Sequence, residues 1–265
     1  MIKLNGQIVE VGHFPDGTLL MKQEFKGGKQ TIDWRFENNE ELVALNFLTN
    51  HLRDSGAECI TLRMWYIPNA RQDRVKKSED IFTLKYFAQM INAMKFNEVC
   101  VLDPHSSVSE ALFDNLIKGT PEFLIKEVYK KISDMIGDQD TVMFYPDEGA
   151  MKRYSGMAEK EYAFGIKRRD WATGKIEGLD VAGCVDKIKD SRILIVDDIC
   201  SRGGTFYHSA KKLKELGAKE IYLYITHCEN TILEGELLTS GLIEKVYTTN
   251  SIFTKEHEKI EVFEL

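Results

Sequence analysis

Short, β-branched apolar runs alternate along the chain with stretches in which apolar residues recur every three or four positions, the mark of strands alternating with helices. Residues 59–67, 98–103, 141–145, 162–169, 192–196 and 220–226 read as strands, several apolar on both faces as parallel strands are. Helical spacing joins Leu42, Leu45, Leu48 and Leu52, with Asn38 or Asn39 as cap and Gly56 as stop. Further helices are expected over 81–95, after Thr120 as cap with Pro121 in the first helical position, and over 205–216 before Gly217. Short extended runs open the chain at 8–11, 18–24 and 31–36, and an extended pair, 246–249 and 260–265, closes it. The order predicts an α/β protein with largely parallel sheets in two nucleotide-type units, 1–138 and 139–265. The last strands are candidates to cross back to the first unit.

Bulk properties narrow the function classes. The 265 residues are 43% hydrophobic and 29% charged, ordinary for a globular protein, with ample length for a core. A formal charge of −7 argues against a nucleic-acid surface, which needs a basic face. Cys59, Cys100, Cys184, Cys200 and Cys228 are odd in number and lack C-x-x-C spacing, which fits reduced thiols in a cytoplasmic setting better than a disulfide frame or zinc site. No targeting or membrane-spanning segment is apparent.

The most informative stretch is 192–206, RILIVDDICSRGGTF. An apolar strand meets two aspartates, a glycine pair follows, and a helix begins. In open α/β sheets ligands lie beyond the carboxyl ends of the strands. Gly203 and Gly204 let backbone N–H groups wrap a phosphate at the helix start, where orphan donors favour an anion. Asp197 and Asp198 stand beside it as acceptors for sugar hydroxyls, and Ser201, Arg202 and Thr205 complete the loop, so the segment suits a ribose phosphate. Neither GxxxxGK[ST] nor GxGxxG occurs. The segment resembles the phosphoribosyl-diphosphate (PRPP) binding motif shared by type I phosphoribosyltransferases and PRPP synthetases.

A second cluster, Arg71-Gln72-Asp73-Arg74, follows a strand. Two arginines flanking an amide and an acid can hold a polyphosphate and a purine or ribose, or can form a solvated, salt-bridged loop. The surrounding YIPNARQDR resembles a segment of ribose-phosphate pyrophosphokinases, the PRPP synthetases, that transferases lack. VGHFPDGTLL, VLDPHSSVSEALFDN, FYPDEGAMKRY, AFGIKRRD and ITHCENT resemble further segments of that family in the same order, covering nearly the whole chain.

The resemblance implies two domains of the type I phosphoribosyltransferase kind and an ATP-dependent diphosphokinase. Such an enzyme moves the β,γ-diphosphoryl group of ATP to the anomeric hydroxyl of ribose 5-phosphate, giving PRPP and AMP. It implies Lys167 and Arg169 as catalytic residues, His105 and Asp147 as Mg²⁺ ligands, Arg71 and Gln72 as main ATP contacts, and Asp73 and Arg74 beside them. Asp16, Gly17 and Thr18 match a segment that meets ATP across a subunit interface, which implies a homo-oligomer; Thr18 stands where the family has Glu. If Lys167 and Arg169 lie on one strand, alternation puts both on one face.

Two departures bear on this reading. The family's opening strand and helix have no counterpart before Phe14, so the first sheet is expected to lack an edge element. The phosphate loop reads Ser201-Arg202-Gly203-Gly204-Thr205 where the family has DTGGT, a change of two charges toward positive. That change suits a more anionic acceptor, and ADP-ribose, giving ADP-ribose 1-diphosphate for NAD synthesis, is the alternative to ribose 5-phosphate. A phosphoribosyltransferase and a non-catalytic regulatory homologue are the remaining alternatives. The FPDG and ARQDR segments speak against the first, and retention of Lys167, Arg169, His105 and Asp147 against the second.

Overall fold

The apolar runs become the strands of separate sheets in two compact units, Met1–Thr120 and Pro121–Leu265. The computed structural model describes residues 1–24, 27–134, 141–158, 160–169 and 176–265, with backbone alone described for 158, 167–169, 176 and 177.

The first unit comprises β1 (Ile2–Leu4), β2 (Gln7–Ile8), β3 (Val11–His13), β4 (Leu19–Met21), β5 (Lys29–Trp34), α1 (Glu40–Asp54), β6 (Cys59–Arg63), α2 (Thr83–Ala93), β7 (Glu98–Leu102), α3 (Ser107–Leu112) and β8 (Leu116–Gly119). Its sheet has the order β2-β1-β5-β6-β7-β8, parallel from β5 to β8. The edge beside β5 is not bare: β1 pairs with it antiparallel, Ile2 opposite Trp34, and β2 follows. That corrects the expectation of a missing edge element, because two short runs around the Asn5-Gly6 turn supply it. Helix α1 buries Ala44, Leu45, Leu48 and Leu52 on one stripe. Its start is held by Asn38, whose Oδ1 accepts the Glu41 N–H at 3.2 Å.

The second unit comprises α4 (Glu122–Ser133), β9 (Thr141–Tyr145), α5 (Glu148–Ala158), β10 (Tyr162–Arg169), β11 (Ile176–Gly183), β12 (Arg192–Cys200), α6 (Gly204–Glu215), β13 (Glu220–Cys228), β14 (Lys245–Thr249) and β15 (Ile260–Phe263). The sheet order is β11-β10-β9-β12-β13-β14-β15, and β11 alone runs antiparallel. Ile193 and Ile195 face Phe206, Ala210 and Leu213 of α6. Leu194 and Val196 face the opposite side, with Ile125 and Val128 of α4 and Tyr154 of α5. Burial on both faces explains why this run lacks polar alternation.

Several expectations are corrected. The boundary at 138/139 lies outside the described residues, and the units divide at Thr120/Pro121 instead. Helix α4 belongs to the second unit because Ile125, Val128, Tyr129 and Ile132 pack with Met143, Tyr145 and Tyr154. Thr120 does not cap α4; Pro121 occupies the cap position, with no side-chain hydrogen bond. The last strands do not cross back, since β14 and β15 extend the second sheet in parallel register. Strand β12 runs on through Asp197 and Asp198 to Cys200, pairing with β13 as far as Cys228. Strand β10 pairs with β9 only through Tyr162–Phe164 and continues to Arg169 against β11 alone.

Candidate functional site

In the second unit the site gathers at the carboxyl ends of β9 and β12. Cys200 closes β12, and Ser201 and Arg202 lead to Gly203, whose φ of +80° makes it a left-handed cap on α6. A side chain there is strained, and its Cβ would also lie 2.9 Å from Leu237. No side chain caps α6 and its first turn holds no acid, so the helix start keeps the character of an anion site.

The loop rests on a segment that sequence reasoning passed over. Arg202 Nη2 donates to Glu234 Oε2 at 3.0 Å, both side chains being well exposed. Next to it, a Cβ on Gly235 would fall 1.9 Å from the Arg202 carbonyl oxygen, so the backbones meet at a distance only glycine permits. Arg202 thus pairs with a carboxylate at the surface.

Asp198 is buried, 4% exposed, while Asp197 beside it is half-buried. The Asp198 N–H donates to Asp197 Oδ1 at 3.0 Å. Loss of water around the Asp197 carboxyl, and then the neighbouring Asp198 charge, push it well above the usual carboxylate range, against that N–H. Arg153, on α5, places Nη1 2.9 Å from Asp198 Oδ2. Sequence spacing held no signal for this pair, which meets only through the α5–β12 packing. Asp147 follows Pro146 at the end of β9, where its Oδ1 accepts the Ala150 N–H at 3.1 Å and helps begin α5. Lys167 and Arg169 lie in β10, opposite Leu179 and Ile176 of β11. Their side chains are outside the described residues. The register shifts between Arg168 and Arg169, so the simple alternation that would put both on one face is interrupted there.

In the first unit, two loops leave the carboxyl ends of adjacent parallel strands, as the topology of ligand sites in such sheets requires. After β6, Asn69 takes a φ of +63° and accepts the Gln72 N–H, which turns the chain into the 71–74 loop. Arg71, Gln72 and Arg74 are exposed, whereas Asp73 is 5% exposed. Arg74 donates to both Asp73 oxygens, at 2.7 and 2.9 Å. Those bonds hold the Asp73 carboxyl below the usual range against its burial. Asp73 thus braces its own loop. Gln72 Oε1 accepts the Thr83 hydroxyl at 2.8 Å, tying the loop to α2. After β7, Asp103 and Pro104 lead to half-buried His105, just ahead of α3.

Asp16, Gly17 and Thr18 form the tip between β3 and β4. Asp16 Oδ1 accepts both the Thr18 N–H and the Thr18 hydroxyl, at 3.0 and 2.7 Å, which lowers the Asp16 pKa. Thr18, standing in place of the family's Glu, thus shapes the turn through Asp16.

Among the described residues no group of three or more His, Cys, Asp or Glu is placed to hold a metal. A carboxylate at a strand end is nonetheless a donor that suits Mg²⁺, which binds through one or two protein groups and completes its octahedron with water and phosphate oxygens. All five cysteines are free thiols. No helix among the described residues is long and apolar enough to cross a membrane.

No family model matches the chain. Individual relatives do. The ribose-phosphate pyrophosphokinase of Thermococcus kodakarensis is 30% identical over 254 residues, covering 93% of this chain and 86% of that protein. The ribose-phosphate pyrophosphokinase of Pyrococcus abyssi is 30% identical over 263 residues, covering 96% and 87%. The crystal structure of phosphoribosylpyrophosphate synthetase from Mycobacterium smegmatis superposes with a TM-score of 0.78 across 97% of this chain and 86% of that one, at 19% identity, a likeness of fold. With its order of motifs preserved through nearly the whole length, the chain belongs to the ribose-phosphate pyrophosphokinase family.

Proposed function

We propose that the protein transfers the β,γ-diphosphoryl group of ATP to the C1 hydroxyl of ribose 5-phosphate, releasing PRPP and AMP. The observation that carries this reading is the union, in one family member, of an acid pair on β12 with a glycine-capped helix start directly after it. The 5-phosphate is assigned to the backbone N–H groups of 201–205, and the ribose hydroxyls to Asp197 and Asp198. ATP is assigned to Arg71 and Gln72, with Asp73 and Arg74 bracing them, and to the Asp16-Gly17-Thr18 turn of another subunit in a homo-oligomer.

The attacking hydroxyl is neutral and the diphosphate strongly anionic, so catalysis is alignment together with charge neutralisation. Lys167 and Arg169 supply cations for the diphosphate in transit. Mg²⁺ coordination is assigned to Asp147 and to His105. Bound Mg²⁺ would offset phosphate charge and orient its oxygens.

Ribose 5-phosphate is preferred to ADP-ribose as acceptor because the relatives that this chain matches are ribose-phosphate pyrophosphokinases. The test is to incubate the protein with ATP, Mg²⁺ and either acceptor and to weigh the products. AMP with PRPP is expected. ADP with a phosphorylated sugar would refute diphosphoryl transfer, and product from ADP-ribose alone would reassign the acceptor.

A further inference from the structure

The acid pair on β12 does not stand by itself. Asp198 lies in the interior, its side chain 5% exposed, and its Oδ2 meets Arg153 Nη1 at 2.9 Å. Arg153 is in turn held from behind. Its guanidinium lies over the Tyr154 ring at 5.5 Å, and its Nη1 donates to the Tyr154 hydroxyl at 3.3 Å. Tyr154 is fully buried and stacks on Tyr145, with centroids 6.4 Å apart and planes 24° from parallel. Tyr145 closes β9, immediately before Pro146 and Asp147. A buried chain of contacts therefore runs from the end of β9, through α5, to the second acid of the sugar site.

A carboxylate this deeply buried needs compensation, and a planar guanidinium fixes direction as well as charge. We propose that Arg153 is the positioning residue of the acceptor site: it orients Asp198 for the ribose hydroxyls and does not itself touch the sugar. The inference rests on the reading of Asp197 and Asp198 as the ribose site. It separates Arg153 from a merely structural ion pair by where the damage falls. Loss of a structural brace lowers stability and spares binding, whereas loss of a positioning residue weakens the acceptor and spares ATP.

The test uses the full-length protein, steady-state kinetics with both substrates varied, and calorimetric titration with ribose 5-phosphate. Arg153→Met keeps the apolar stem and removes the charged hydrogen bond. It should raise the acceptor KM and Kd about tenfold to a hundredfold, the range for a charge-assisted contact, with the ATP KM within about twofold of wild type. Arg153→Lys keeps the charge without the fork and should recover part of the loss; it also carries the test if Arg153→Met does not fold. Because Arg153 acts through Asp198, the variant Arg153→Met with Asp198→Asn should bind the acceptor no worse than Asp198→Asn does. Unchanged acceptor constants in folded Arg153 variants, or losses that add in full, would overturn the inference while leaving the function in place. A wild-type protein that neither binds nor consumes ribose 5-phosphate would overturn the function itself, and the inference with it.

Discussion

Single residues carry the chemistry, and their legibility differed sharply. Lys167 is proposed as catalytic because it sits in a segment resembling the family's, toward the end of β10. Lys167→Ala should reduce turnover by roughly a hundredfold or more with the unfolding midpoint nearly unchanged, since a preorganised cation mainly stabilises charge in the transition state. Near-normal turnover in the folded variant would remove Lys167 from the catalytic set. Asp73 shows the limit of such reading. Its place in ARQDR suggested a ligand contact, yet burial and two hydrogen bonds from Arg74 make it a brace. Arg153 lies in the quoted segment FYPDEGAMKRY, but its pairing with Asp198 is not marked there: a partner reached by folding from another element leaves no mark in local spacing.

At the scale of elements, uninterrupted runs announced themselves as strands, and interrupted ones did not. Thr141–Tyr145 and Tyr162–Arg169 have the bounds expected of them. Strand β11, IEGLDVAG, is broken by glycines, and α5, EGAMKRYSGMA, contains two, so neither announced itself. The aspartates of β12 looked like a strand end because charges are costly inside a sheet; parallel pairing to Cys228 carries the strand past them. Two predictions belong here. Gly235→Ala would drive a methyl into the Arg202 carbonyl, so the phosphate loop must shift, and the acceptor KM should rise about tenfold or more with the ATP KM unaltered. An unchanged acceptor KM would show that the 230–237 segment does not set the loop.

The second concerns Arg192 and Glu220, which pair at 2.6 Å where β12 and β13 begin. Arg192 is 4% exposed, and its hydrogen bond holds the Glu220 carboxyl below the ordinary glutamate value of 4.5, against partial burial. A lowered folded pKa means the contribution is present in full above about pH 4.5 and is lost as pH falls through the lowered value. Glu220→Gln should cost about 1–3 kcal/mol in urea unfolding at pH 7, with the difference from wild type shrinking toward pH 3. A constant difference at both pH values would mean the ionised pair is not what stabilises this corner.

For the molecule as a whole, the two-unit α/β plan was legible, and the division between units was not. The expected boundary at 138/139 falls after α4, whereas α4 follows its apolar stripe into the second core. That core is not uniform. Beyond Phe164, β10 leaves the shelter of β9 and keeps β11 as its neighbour, while β12 is flanked by partners on both sides from Arg192 to Ile195. Backbone amides with one neighbouring strand open at lower free energy than those bound into the centre of a sheet. Deuterium uptake should therefore divide this unit in two, with residues 165–169 exchanging orders of magnitude faster than residues 193–195. Equal protection would mean that the two-stranded arm melts only with the whole unit. Faster exchange would mean that the segment bearing Lys167 and Arg169 opens by itself while the centre of the sheet stays closed, so the reach of that arm is set by a local equilibrium and not by the stability of the whole unit.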